Sequence, residues 1–471
     1  MTTKSIADTA LTRRVFLQRA ASATLGAGVC FPALAANSSN PSAADPLAGA
    51  AERIERHRKA DGMIIVRDTH GRPVPGASVR VEQVCHDFLF GCNFFLFERV
   101  GDQDLENRYR QQFSALFNYA TLGFYWSTFE PQQRQPNYAP NERAAAWCAE
   151  RLITCKGHPL VWDHPASSPK WLPNILLAVG ELASDRVTDL VTHYRKLIDI
   201  WDVVNEPTHL GNTVFQKEAA THMAQYAAGI GPRAYTAEYL KVARAANPTA
   251  TLLVNDYRTD LAYYLILESL RQDGRPLYDA VGLQSHMHNG PWPMAKLWDI
   301  CQTFARLGQP LHFTEATLPS GPRLGPGENF GPTTPELEAE QAKYAESFYT
   351  LLFSHPAVQA ITWWDFSDRS AWQGAAAGFI RKDMSPKPVY DRMKQLIKGQ
   401  WWTKAETSAN KEGKVPLRAF TGLHKVHATV PGGSEVSRVV RWKQGDPNVC
   451  ELVVNLPKPK AKPKYVWPEY P

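Results

Sequence analysis

Short apolar runs alternate with longer amphipathic stretches through most of this chain. The runs are Phe88–Phe94, Tyr119–Trp126, Gly157–Trp162, Ile200–Asn205, Thr251–Asn255, Ala280–Ser285, Leu311–Thr314 and Ala360–Phe366. Each reads as a strand buried on both faces. Helical periodicity lies between them, near Leu105–Phe117, Asn141–Thr154, Ser184–Lys196, Arg233–Ala246, Asp260–Gln272, Pro293–Leu307, Pro335–Ser354 and Pro388–Ile397. Eight strand-like runs, each followed by a helix-like stretch, predict an α/β fold of the (β/α)8 TIM-barrel kind. An open doubly wound sheet is the competing arrangement. It is weakened because no G-x-G-x-x-G turn follows an early strand.

The pattern changes at both ends of the barrel. Met63–Val66 and Ala77–Val81 flank the turn-rich Asp68–Pro73 and predict a β-hairpin. After Lys398 helical periodicity stops, and Leu417–Phe420, His424–Val430, Val436–Trp442 and Cys450–Val454 read as short strands. The hairpin and this C-terminal segment are expected to form a small accessory β-sandwich. The predicted organisation is an export segment over 1–35, a linker over 36–58, the hairpin over 59–86, the barrel over 87–400, the C-terminal β module over 401–456 and a Pro/Lys-rich, unstructured tail over 457–471.

The export reading rests on Arg13-Arg14 before Val15-Phe16-Leu17, a run of small residues from Ala20 to Val29, and Ala33-Leu34-Ala35. This order resembles a twin-arginine signal, which implies a periplasmic or secreted protein. No later apolar run reaches the ~18–20 residues of a membrane span. Six cysteines remain beyond that segment, with no C-x-x-C and no Cys/His cluster at zinc spacing. Cys148 and Cys155 fall on one predicted helix, too far apart along it to bond to each other. Buried free thiols are expected for most of the six.

Composition bears on the choice of ligand. The 471 residues are 44% hydrophobic and 21% charged, which excludes a disordered or collagen-like chain. The formal charge is +6. Four basic residues against one acidic lie in 1–36, and the same balance lies in 457–471, so the body between is neutral. A nucleic-acid partner loses its support. Ten of the fourteen tryptophans fall between Trp126 and Trp372, within the predicted barrel.

Active sites of such barrels sit at the C-terminal ends of the strands. Those ends carry Trp126, Trp162-Asp163-His164, Asn205-Glu206, Asn255-Asp256-Tyr257, Gln284-Ser285-His286, Glu315 and Trp364-Asp365. Glu206 ends strand four and Glu315 ends strand seven, so they face each other across the barrel mouth. Two carboxylates over an aromatic cleft can hydrolyse a glycoside, one giving a proton to the leaving oxygen and the other attacking the anomeric carbon. His286 and His288 form an H-x-H without a third ligand at sensible spacing, so no metal and no cofactor are expected.

The same residues carry a resemblance. Trp201-Asp202-Val203-Val204-Asn205-Glu206-Pro207 resembles the acid/base segment of glycoside hydrolase family 10, the endo-β-1,4-xylanase family. Phe313-Thr314-Glu315 resembles its nucleophile strand. Gly157–Trp162, Val254–Tyr257, Gly282–His286, Ile361–Trp364 and Asp383–Tyr390 follow in the family's order. The resemblance spans roughly Gly62 to Trp402. It implies a retaining mechanism with Glu206 as acid/base and Glu315 as nucleophile. It also implies Asn205 on the sugar 2-hydroxyl, His286 orienting Glu315 with Gln284 nearby, and Trp364 and Trp372 against the sugar. Trp126, Trp162, Asp163 and Tyr257 complete the expected substrate-binding set, while Asp202 is read as a buried strand partner. The expected partner is a β-linked polysaccharide or oligosaccharide, bound by a monomer, with no membrane involved.

At the end of strand two the chain departs from that pattern. Typical members carry Glu-Asn and then Met-Lys-Trp or Leu-Lys-Trp. Here the segment is Asn118-Tyr119-Ala120-Thr121-Leu122-Gly123-Phe124-Tyr125-Trp126, with Tyr125 at the Lys position and no Glu-Asn pair. A buried hydroxyl left without its partner loses about 1–3 kcal/mol. Glucan, mannan or decorated xylan therefore stand as alternative substrates, and a non-catalytic carbohydrate-binding barrel as an alternative function.

Overall fold

The structure, a computed structural model, describes residues 45–210, 220–325 and 330–456. The predicted export segment and the Pro/Lys-rich tail lie outside these residues. The chain divides into two compact units. One is built on Phe88–Gln400, together with the segment ending at Ile54, and the other on Glu55–Asp87 and the chain from Trp401 onward.

The first unit is a closed barrel of eight parallel strands in chain order. They are Leu89–Asn93, Tyr119–Gly123, Thr154–His158, Ile198–Asn205, Thr251–Asp256, Ala280–Leu283, Leu311–Ala316 and Val358–Trp363, called strands one to eight below. Almost every strand residue is buried, as strands covered on both faces require. Leu89, Tyr119, Ile200, Leu253, Ala280 and Ala360 form one apolar cluster. Two residues further along the strands, on the same face, stand Thr121, Asp202, Asn255 and Thr362, all fully buried. The barrel interior thus passes from apolar to polar toward its C-terminal mouth.

Three boundaries differ from the sequence reading. The helix expected over Asn141–Thr154 ends at Glu150. Leu152, at φ 57°, then turns the chain into strand three. Pro159 lacks the N–H a ladder needs, so that strand stops at His158 and leaves only the isolated Val161–Val204 bridge beyond it. Cys148 is therefore on a helix and Cys155 on a strand, and none of the six described cysteines is in a disulfide. The helix expected from Ser184 begins at Leu176. Gly180 weakens its helical signal, but a Cβ there would stand 2.5 Å from the Tyr226 ring, so the small residue serves packing. Tyr226 belongs to a further helix, His222–Ile230, that the periodicity did not reveal.

The second unit is a two-layer β structure. Lys59–Asp68 lies between Lys414–Phe420 and Val449–Val454 in one sheet. Ser78–His86 lies between Lys404–Ser408 and Gly422–Thr429 in the other, with Val436–Trp442 beyond. Ile64, Val66, Val79, Val81, Val426, Trp442 and Leu452 from both sheets share one core. The accessory sandwich is present, but its predicted hairpin is not. Asp68 Oδ1 accepts from the His70 and Arg72 amides at 2.8 and 3.0 Å and closes the expected turn. Pro73 and Pro75 then deny the returning chain two ladder donors, and the next strand joins the opposite sheet. Lys404–Ser408 was not foreseen because it is largely exposed and polar. The predicted linker is also corrected, because Ala50–Arg58 is a helix with Glu52 in its first turn and Arg56, His57 and Arg58 in its last.

Gly282 shows how closely the polar layer is built. A Cβ there would lie 2.6 Å from Asn255 Oδ1 and 2.9 Å from the Val254 carbonyl. Gly282→Ala is expected to cost about 1–3 kcal/mol through overpacking. A lowered urea midpoint with unchanged m-value would show it.

Candidate active site

Both glutamates sit where a strand is distorted. The pairing of strands four and five shifts register between Asp202 and Val204, just before Asn205-Glu206. The pairing of strands seven and eight shifts between Phe313 and Ala316, across Glu315. Such bulges re-aim side chains beside active sites. Glu206 has φ 57°, a left-handed conformation uncommon for a non-glycine residue, and its amide donates to the Asn255 carbonyl at 2.7 Å. Ser285, between Gln284 and His286, has the same φ.

Glu315 is only 4% exposed and is held from both sides. Asn255 Nδ2 donates to its Oε1 at 2.7 Å, and His286 Nε2 lies 3.1 Å from its Oε2. Thr314 Oγ1 donates to Asn255 Oδ1 at 2.5 Å, which fixes which end of that amide faces the carboxylate. Thr317 Oγ1 lies 3.0 Å from His286 Nδ1 and fixes the ring. His158 Nδ1 stands 3.8 Å from Glu315 Oε1 and 2.8 Å from Asp202 Oδ2. Lys156 Nζ donates to the same Asp202 oxygen at 2.5 Å, and both side chains are fully buried. Burial pushes the Glu315 carboxyl up, but His158, the His286 hydrogen bond and Lys156 outweigh it and hold it below the usual range. Asp202 is likewise held low against its burial by Lys156 and His158. Asp202 is thus the buried partner the sequence suggested.

Glu206 is the more open carboxylate, its side chain 17% exposed against 5% for Glu315. Gln284 Nε2 donates to its Oε1 at 3.1 Å and reaches Asn205 Oδ1 at 3.3 Å. Asn255 Nδ2 also donates to Asn205 Oδ1, at 2.8 Å. With that oxygen taken twice, the Asn205 amide NH2 is the group left to donate. His209 Nδ1 lies 3.9 Å from Glu206 Oε2, and the Tyr257 hydroxyl hydrogen-bonds the His209 ring. Asp256, pushed up to about 6 by burial with Glu206 adding to the rise, accepts from the Thr208 amide and hydroxyl.

Aromatic rings line the other half of the mouth. Trp364 packs edge-on to His158 at 5.3 Å and His286 at 6.1 Å. Trp372 is 44% exposed and stands 4.6 Å from the His286 ring. Its turn is fixed by the Trp372 amide on Asp365 Oδ1 at 3.1 Å and flanked by Ser370 and Gln373 at φ 61° and 57°. Trp162 stacks on His164 at 4.4 Å and meets Tyr125 at 6.2 Å.

Of the expected site residues, the structure brings together Asn205, Glu206, Gln284, His286 and Glu315, with Tyr257, Trp162, Trp364 and Trp372 around them. It does not bring Trp126 to the carboxylates. Trp126 is 3% exposed, gives its indole N–H to Glu130 at 2.8 Å and packs edge-on to Trp171. Asp163 is buried, at 3% exposed. Asn255, His158, Lys156, Thr317 and His209 were missed as site residues. Asn255 and His158 lay inside the quoted motifs, but only the closed barrel shows that they meet Glu315. Among the described residues no group of three potential metal ligands occurs, and no helix is long and apolar enough to cross a membrane.

Comparison with known proteins gives a family and a fold. The profile of glycosyl hydrolase family 10 matches residues 93–396. Endo-1,4-beta-xylanase B of Thermotoga neapolitana is 27% identical over 307 residues, 62% of this chain and 83% of that protein. The anti-sigma-I factor RsgI6 of Acetivibrio thermocellus is 26% identical over 401 residues, 84% of this chain but 48% of that protein, so the chain spans about half its length. The solved structure of xylanase 10B from Thermotoga petrophila RKU-1 in complex with xylobiose shares the fold, at TM-score 0.55 and 22% identity over 67% of this chain and 95% of that one.

The Lys156–Asp202 pair supports the site from within the barrel. Lys156→Met would remove the ammonium partner of the buried Asp202 and leave only His158 beside it, at a cost of about 3–5 kcal/mol. Chemical denaturation of wild type and variant measures this. A loss below 1 kcal/mol would show that the pair does not hold the layer.

Proposed function

The chain belongs to glycosyl hydrolase family 10, and on that premise we propose that it is a retaining hydrolase of internal β-1,4 linkages in xylan or a closely related β-glycan. The observation that carries this reading is the unequal setting of the two glutamates. Glu315 is enclosed, hydrogen-bonded and ionised, as a nucleophile must be. Glu206 is open to the mouth, where it can give and take a proton.

In the first step a Glu315 oxygen attacks the anomeric carbon. The bond from that carbon to the leaving oxygen breaks, and Glu206 gives its proton to that oxygen. The product is a glycosyl ester on Glu315. In the second step Glu206, now ionised, takes a proton from water. The water oxygen attacks the same carbon and releases Glu315. Asn205 donates its amide N–H to the sugar 2-hydroxyl, a group whose hydrogen bonds strengthen in the transition state. His286, set by Thr317, keeps Glu315 aimed. Trp364 and Trp372 cover the sugar face.

Glu315→Ala is expected to abolish hydrolysis, by at least about 10³-fold, while azide restores turnover of an activated aryl glycoside as the glycosyl azide of inverted configuration. Full activity in that variant on every β-glycan tried would remove Glu315 from the reaction. The pH profile gives a second test. Attack needs ionised Glu315, and its lowered pKa keeps it ionised below the usual 4.5. The acid limb of kcat/KM in wild type should therefore lie below that value. His286→Ala removes one group that holds the pKa down, so the limb should move toward neutral pH as kcat falls. An unmoved limb would leave His286 without this role.

A further inference from the structure

The barrel mouth has two chemically different halves. Strands four to seven bring the carboxylates and amides. The neighbouring strands eight, one, two and three bring Trp364, Phe95, Tyr125 and Trp162, one large ring after each strand. These rings touch in order, with centroids 5.4 Å apart for Trp364 and Phe95, 6.1 Å for Phe95 and Tyr125, and 6.2 Å for Tyr125 and Trp162. Phe95, Tyr125 and Trp162 are each partly exposed, so the wall presents ring surface to whatever enters. Tyr125 also meets His158, the residue beside Glu315, at 5.7 Å.

A sugar pressed against such a wall finds few partners for free hydroxyls. Apart from indole N–H groups, the four rings offer one polar group, the Tyr125 hydroxyl. A hydroxyl masked as an acetate ester suits the wall better. Its methyl group lies against ring surface, and its carbonyl oxygen accepts from Tyr125. We infer that this half of the mouth receives a backbone sugar carrying an O-acetyl group, and that Tyr125 is the residue that sets the preference. The inference rests on the β-glycan hydrolase reading and adds the substituent. Burial beside Glu315 and Glu206 pushes the Tyr125 phenol up, which keeps it protonated and able to donate.

The test compares a naturally acetylated xylan with the same polymer after alkaline deacetylation. Wild-type kcat/KM should be about tenfold higher on the acetylated form, the scale of one small group in a fitted pocket. Y125K, which puts a strong polar donor in the wall, should bring that ratio to about one or below. Y125F keeps the ring and the fold and removes only the hydroxyl, so it should lower the ratio several-fold if Y125K does not fold. Equal or better turnover of the deacetylated polymer by wild type overturns the inference. So does a ratio unmoved in the folded variants. Failure of wild type on every β-glycan would instead overturn the hydrolase reading beneath it.

Discussion

Glu315 is a carboxylate sealed inside a barrel, and its ionisation is the constraint on which the surrounding structure depends. Burial alone favours the neutral acid, because a charge removed from water loses most of its solvation. The chain offsets this with fixed donors. Asn255 and His286 touch the carboxylate directly, and each is fixed by a threonine hydroxyl, Thr314 for the amide and Thr317 for the ring. Further in, Lys156 and Asp202 anchor His158 beside it. These groups are each held by a second side chain in the arrangement that faces Glu315, and such preset donors are what electrostatic stabilisation of a transition state needs.

That constraint reaches into the backbone. A polar layer replaces apolar packing in the upper barrel, and Gly282 is needed so that Asn255 can stand between Asn205 and Glu315. Register shifts on strands four and seven turn the two glutamates into the mouth. Glu206 adopts a left-handed conformation at a cost of about 1–3 kcal/mol. The lower layer of Leu, Ile, Tyr and Ala residues supplies apolar burial to offset these costs. The left-handed Glu206 and the polar layer thus stand at the mouth, above a layer of apolar side chains that carries stability.

The sequence showed the parts of the structure that follow from burial. Strands covered on both faces read as continuous apolar runs, so all eight were visible, and the residues at their ends gave both glutamates, Asn205, Gln284 and His286. It did not show what depends on pairing at a distance. The strand from Lys59 and the strand from Ser78 look like a hairpin because they are close in sequence. Only their different sheet partners, selected by Pro73 and Pro75, separate them. Lys156 reads as an ordinary strand-end lysine until the closed barrel places Asp202 beside it. Trp126 stands apart for the opposite reason: it follows a strand end, but a side chain beyond the last ladder residue can turn away from the mouth, as the hydrogen bond to Glu130 holds Trp126.

Charge ties these observations together. The net +6 lies in the two terminal segments, and the body is neutral. The net charge of the body therefore supplies no long-range attraction for a charged ligand. Two buried ion pairs of this unit, Lys156 with Asp202 and Lys387 with Asp368, are each neutral as a pair and project little field into solvent. On the proposed reading, the substrate meets a half-ring of aromatic faces and a half-ring of amides, both suited to a polymer with ring faces and hydroxyl groups. Specificity then rests on which hydroxyls find donors, so the choice of substrate falls to strands one to three, where this chain carries Phe95, Tyr125 and Trp162, while the proposed chemistry stays on strands four and seven.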